Sequence, residues 1–167
     1  MKSVTITGKR NKENLTDCDE RESIRSNVDY EEPSHQIQVS LLNKFYMRQS
    51  DDMDIHVKRE ITRKISGYKS QDMKKNIFDP TQLITFSNVL EKLVASKLRC
   101  IYCSSVVKVL FTCVRDQQQW TLDRIDNNVC HSETNTVICC LKCNLQRRVM
   151  AVNKFTFTKQ LKIKKVE

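Results

Sequence analysis

The stretch LDRIDNNVCHSETNTVICCLKCN, Leu122 to Asn144, gathers two aspartates, four asparagines, a histidine and four cysteines, in a chain with only three histidines and two glycines overall. So many side chains able to hold a metal or move a proton, in so short a polar segment, read as a site. The segment ends on Cys140-x-x-Cys143, and a second knuckle, Cys100-x-x-Cys103, precedes it, with residues 104 to 139 between the two. Each CxxC turn can present two thiolates to one ion, and four thiolates close a tetrahedral structural site with no open position. The pair therefore predicts structural zinc on Cys100, Cys103, Cys140 and Cys143. Cys139 adjoins Cys140 and is the alternative ligand, but the two-residue spacing to Cys143 matches the other knuckle and favours Cys140. Cys18, Cys113 and Cys130 remain as small buried hydrophobes or free thiols.

Working outward, WTLDRID (Trp120 to Asp126) alternates apolar and polar residues, and VVKVLFTCV (Val106 to Val114) is β-branched and aromatic. Both read as strands, with Asp116 to Gln119 as the turn between them. NTVICCLKCNLQRRVM reads as a helix beginning near Asn135. Trp120 is expected to be buried against that helix. Upstream, Ile55, Ile61, Ile65 and Met73 predict one or two short basic helices interrupted at Gly67. After the break at Asp79-Pro80, Thr85 is placed to cap a helix running to about Lys97, with Val89, Leu90, Leu93 and Val94 as its buried stripe. Phe155, Phe157, Leu161 and Ile163 alternate with polar residues in an edge strand or a flexible tail. The expected organisation is α+β: a disordered tail over 1–50, a helical extension over 51–98, a small zinc-stabilised unit over 99–150 and a basic C-terminal arm over 151–167.

Composition sets the setting. The 167 residues are 39% hydrophobic and carry a formal net charge of +9. Such a balance attracts polyanions, nucleic acid first and an anionic membrane surface second. There is no run of about 18 apolar residues and no apolar core of a signal peptide near the N-terminus, so a soluble, intracellular protein that does not span a membrane is expected. In a reducing compartment paired CxxC units hold metal more often than disulfides.

Zinc accounts for the cysteines but not for Asp123, His131, Asn135 and Asn144. A strand carboxylate and an amide oxygen on a helix packed across it offer two hard ligands to an ion such as Mg²⁺, which keeps its other positions for water and substrate phosphate. That is a chemistry for phosphodiester hydrolysis.

The run RCIYC, QWTLDRIDN, CH, ETN and CLKCNLQRR, from Arg99 to Arg148, resembles the HNH, or ββα-metal, endonucleases. Within them it is similar to the subgroup with LDRIDN and CxxCN. With GYKSQD (Gly67 to Asp72) upstream, it looks like HNH-like proteins encoded by large DNA viruses, which would place it in a host cytoplasm or nucleus. The resemblance implies a ββα-metal fold and divalent-metal-dependent cleavage of DNA. It implies that Asp123 and Asn144 hold the catalytic Mg²⁺ or Mn²⁺, that the four cysteines hold zinc, and that Asn135 fastens the loop between strand and helix. In the commonest pattern a histidine after the strand aspartate is the general base. Here Arg124 stands there, always protonated and unable to serve. His131 is the first substitute, since its ordinary pKa suits proton transfer near neutrality, and Asp126 the second. Arg124 is left to contact a phosphate. Cys130 replaces a glycine usual in the subgroup, so the loop is expected to turn through Asn127 or Asn128 in the left-handed region. Arg147, Arg148, Lys154 and Lys159, with Lys162, Lys164 and Lys165, form a basic arm for a DNA backbone. The alternative to an endonuclease is a catalytically inactive zinc-stabilised DNA-binding module.

Overall fold

The computed structural model describes residues 25, 28–49 and 51–161. Expectations for Cys18, Lys162, Lys164 and Lys165 lie outside the described residues. Along the chain run α1 (His35–Tyr46), α2 (Asp54–Lys74), α3 (Phe86–Ala95), β1 (Trp120–Arg124), β2 (Thr136–Cys140), α4 (Leu141–Arg147) and α5 (Val152–Gln160). This mixture of helices with a two-stranded sheet is α+β. No helix among the described residues is long and apolar enough to cross a membrane.

Helix α3 forms where local chemistry asks for it. The Thr85 hydroxyl accepts from the backbone of Asn88, and the Asn88 side chain accepts from the backbone of Thr85, closing a capping box. Val89, Leu90 and Leu93 bury its apolar stripe. Helix α2 is one continuous element through Gly67, contrary to the expected interruption, because its buried line is Val57, Ile61, Lys64, Tyr68 and Asp72 at helical spacing. Ile55 and Met73 are exposed instead. The lower part of the buried face is polar, which is why apolar residues alone gave the wrong phase.

The sheet pairs β1 with β2 antiparallel, with Trp120 opposite Cys140, Leu122 opposite Ile138 and Arg124 opposite Thr136. The expected helix from Asn135 thus begins six residues later, at Leu141. Thr136, Val137 and Ile138 are β-branched and favour the pleated surface. The chain then enters α4 directly, giving the order strand, strand, helix.

Residues 106–114 form no strand in the sheet, although Val107, Val109, Leu110 and Phe111 are all buried. Their backbone groups are met by other partners. The Gln38 side chain accepts from the amides of Val109 and Leu110 and donates to the Leu110 carbonyl. Arg25 and Tyr30 donate to the Phe111 carbonyl. The same contacts correct the tail expected over 1–50: from 28 to 49 the chain is part of the fold, with Leu41 and Leu42 buried in the core. Helix α5 replaces the expected edge strand or flexible tail, anchored by Phe155, which meets the Tyr102 ring edge-on at 5.0 Å.

Candidate metal centre and cleft

Cys100 and Cys103 lie in the turn after α3, which closes through the Ser104 amide donating to the Cys100 carbonyl at 2.9 Å. Ser104 takes φ 58°, the left-handed position such a knuckle needs. Cys140, the last residue of β2, caps α4, its sulfur accepting from the Cys143 amide at 3.4 Å. The four sulfurs lie within 4.8 Å of one another, and the Cys103 and Cys140 sulfurs are 3.9 Å apart. Metal–sulfur bonds of about 2.3 Å in a tetrahedron set sulfurs about 3.8 Å apart. The cluster fits a metal ion such as zinc. Cys139 turns away from it, its sulfur 3.2 Å from the Thr121 hydroxyl, and burial pushes its thiol well above the ordinary range. Of the two ligand sets left open by the sequence, the structure gathers the one with Cys140.

A cleft of about 600 Å³ lies beside this unit, with α2 as one wall, β1 as the floor and α4 as the other wall. Asp123, Arg124, His131 and Asn144, the residues singled out for catalysis, all line it. Five basic side chains, Arg63, Lys64, Lys75, Arg124 and Arg148, line it against one carboxylate, Asp123.

The α4 side holds Asp123 and Asn144. Both Asp123 oxygens are engaged: Arg147 donates to Oδ1 at 2.7 Å through Nη2 and to Oδ2 through Nε, and the Tyr102 hydroxyl donates to Oδ2 at 2.6 Å. Three of the four lone-pair positions of the carboxylate are thereby filled, leaving one on Oδ1. Hydrogen bonding to Asp123 raises the Arg147 pKa further above its already high ordinary value. Arg147 is buried, so its expected place in an exposed DNA-contacting arm is corrected. The Asn144 amide nitrogen donates to the Thr121 hydroxyl at 3.1 Å and the Leu122 carbonyl at 3.3 Å. A carbonyl can only accept, so the nitrogen faces it and the amide oxygen is the atom left over. It has no partner among the described residues, as a hard-ion ligand requires.

The α2 side holds His131. Its Nδ1 lies 2.7 Å from Oδ1 of Asp72, a carboxylate with no solvent exposure, and its backbone amide donates to Asp72 Oδ2 at 2.8 Å. Arg124 donates to the same carboxylate at 3.3 Å and to the Val129 carbonyl. The carboxylate accepts, so Nδ1 carries the imidazole proton and Nε2 of the neutral ring is bare. The ring stacks on Tyr68 with centroids 4.5 Å apart, and Tyr68 accepts from the Leu122 amide, which fixes it to β1. Burial lowers the His131 pKa and the Asp72 charge partly opposes that. Arg124, expected at a phosphate, is buried and spends Nη1 on Asp72.

Asn135 holds the β1–β2 loop. Its nitrogen donates to the carbonyls of Asp126, Val129 and Cys130, and its oxygen accepts from the Asp126 amide. No residue from 125 to 135 has positive φ, so the loop turns without the left-handed asparagine expected where glycine is missing. Asp126, the second candidate base, is exposed and lies off the cleft lining. In the arm, Arg148 lines the cleft, whereas Lys154 is exposed elsewhere and Lys159 lies over the Phe155 ring and donates to Gln146.

Asp72, the last residue of GYKSQD, and Lys64 carry no role in the sequence reading. Both interrupt an apolar stripe at helical spacing with Ile61 and Tyr68, and that interruption was the available signal. Lys64 sits between the Phe111 and Trp120 rings, donates to the Trp120 carbonyl and Gln119, and is pushed down to about 7 by burial. Compared with protein-family models, curated proteins and solved structures, the chain matches none.

Proposed function

We propose that this chain is a divalent-metal-dependent endonuclease of the HNH type that hydrolyses DNA phosphodiester bonds, with His131 as its general base. The observation carrying this reading is the buried Asp72–His131 pair set into a basic cleft that also holds the unbonded amide oxygen of Asn144. Cys100, Cys103, Cys140 and Cys143 would hold a zinc ion, which would tie the end of β2 and the start of α4 to the turn after α3 and so fix where Asn144 stands. Asn144 and the remaining lone pair of Asp123 are the groups that would hold the Mg²⁺ or Mn²⁺ ion. Such an ion, when bound, polarises the scissile phosphate and offsets charge on the leaving oxygen.

The chain's own residues do the rest. Nε2 of His131 accepts the proton of the attacking water, and Asp72 stabilises the imidazolium that forms. Arg124 holds Asp72 in place. Arg148 and Lys75 neutralise backbone phosphates at the two walls. A base that is neutral at pH 7 because burial lowers its pKa is ready to accept a proton without prior deprotonation.

One observation favours the second reading, an inactive DNA-binding module. Arg147 already neutralises Asp123, and a guanidinium on both oxygens competes with a divalent ion for the carboxylate. Incubating the zinc-loaded protein with supercoiled plasmid, with Mg²⁺ or Mn²⁺ added against buffer with neither, separates the two. Metal-dependent conversion to open circle sustains the nuclease. Salt-sensitive binding with no conversion in either ion leaves the binding module.

A further inference from the structure

We infer that the α2 wall of the cleft, through Arg63, Gly67, Gln71 and Lys75, is a track for one phosphodiester backbone of bound DNA, and that Gly67 is there to let that backbone approach the helix. This rests on the nucleic-acid reading of the cleft. It extends the contact surface to a helix outside the 99–150 unit.

The central observation is Gly67. It lies mid-helix in α2, is exposed, and a Cβ built on it meets nothing within 4 Å. Glycine inside a helix is destabilising relative to alanine, and is retained for positive φ or for close packing. Neither applies here: the backbone is helical and the space is open. The missing side chain therefore serves something that comes from outside the described chain, and the space it leaves belongs to the cleft wall.

Its neighbours say what comes. Arg63, Gly67, Gln71 and Lys75 follow one another at four-residue spacing and line the same cleft. Twelve residues of helix rise about 18 Å, the axial length of roughly five nucleotide steps at about 3.4 Å each. Arg63 is braced by Glu60 at 2.7 Å, and Glu60 is itself held by Arg25. The side chains of Gln71 and Lys75 have no hydrogen-bond or ion-pair partner among the described residues. A braced guanidinium, a bare notch, a free amide and a free ammonium in line suit a chain of phosphates better than a flat anionic membrane, which cannot enter a cleft.

The test uses the full zinc-loaded chain, with no Mg²⁺ or Mn²⁺ added, and a fluorescently labelled DNA duplex, so that binding is read without cleavage. Gly67→Ala should raise Tm by about 2–4 °C, since alanine is the better helix former, and weaken DNA binding by about tenfold. Lys75→Gln should lower the slope of log affinity against log salt by about 0.9, one phosphate contact. Gly67→Ala that gains stability and binds DNA as wild type does overturns the track, even if Arg148→Gln weakens binding and the cleft remains the nucleic-acid site. A wild-type chain that ignores the duplex and binds vesicles of anionic lipid overturns the track and the DNA reading together. Failure of plasmid cleavage with the Gly67 and Lys75 effects intact supports the track and sinks only the nuclease.

Discussion

Asp123 and Arg147 show how much of a residue's role is decided by what faces it. A carboxylate on a strand beside a metal-knuckle helix reads as an ion ligand, and an arginine in a run of basic residues reads as part of a DNA-contacting arm. In the fold they meet, buried, with Tyr102 closing the third side. Arg147→Met leaves the buried Asp123 carboxylate with one neutral donor, and should destabilise the protein by about 3–5 kcal/mol in urea unfolding. Lys154→Gln, at an exposed position, should stay within about 0.5 kcal/mol. An Arg147→Met protein as stable as the wild type would return Arg147 to the surface. Lys64 gives a pH-dependent counterpart. Its folded pKa of about 7 lies below the ordinary lysine value near 10.5. Between those values the unfolded chain keeps a proton that the folded chain has released, so on this account stability rises with pH across that window, and below about 7 the cost of the buried charge is present in full. Lys64→Met removes that cost. Its stability gain over wild type should be largest near about pH 6 and shrink toward about pH 9, and a gain that does not change with pH would contradict the assignment.

The elements were legible where their causes are local. Helix α3 carries its capping box and apolar stripe within a dozen residues, and Thr85→Ala should cost about 1 kcal/mol, measured by denaturation. The segment 106–114 has the composition of a strand, yet the backbone groups of Val109 and Leu110 at its centre bond Gln38, some seventy residues away in sequence. No local pattern encodes that pairing. Gln38→Leu strands three buried backbone groups, each costing about 1–3 kcal/mol when unsatisfied. The expected result is loss of cooperative unfolding between α1 and the rest, seen as early hydrogen exchange at Val109 and Leu110. Protection unchanged in that variant would show that the side chain is dispensable. The start of α4 was misplaced because cysteine spacing identifies the knuckle without saying whether strand or helix precedes it. The candidate site was legible in its ligands, Cys100, Cys103, Cys140 and Cys143, and in Asn135, while Asp72 was not, since only the fold brings α2 against the β1–β2 loop.

At the scale of the whole molecule, a two-stranded sheet and a seven-residue helix are too small to hold their own geometry, and the cysteine cluster ties them to the turn after α3. Structural zinc in small modules contributes roughly 10–16 kcal/mol of apparent free energy. Chelation, or Cys103→Ser, should therefore unfold the sheet and α4, read as loss of the fixed environment of Trp120 in near-ultraviolet dichroism. A spectrum indifferent to chelator would remove the metal from the account. The cleft sets five basic side chains against one carboxylate and brings together His131, Asn144 and Asp123. The most direct test is the rate of open-circle formation from supercoiled plasmid by His131→Ala beside the wild type, with zinc content and duplex binding matched. The account predicts metal-dependent nicking by the wild type and a loss of about 10²–10⁴-fold in the variant, the range a general base supplies. Equal rates in the two proteins would contradict it.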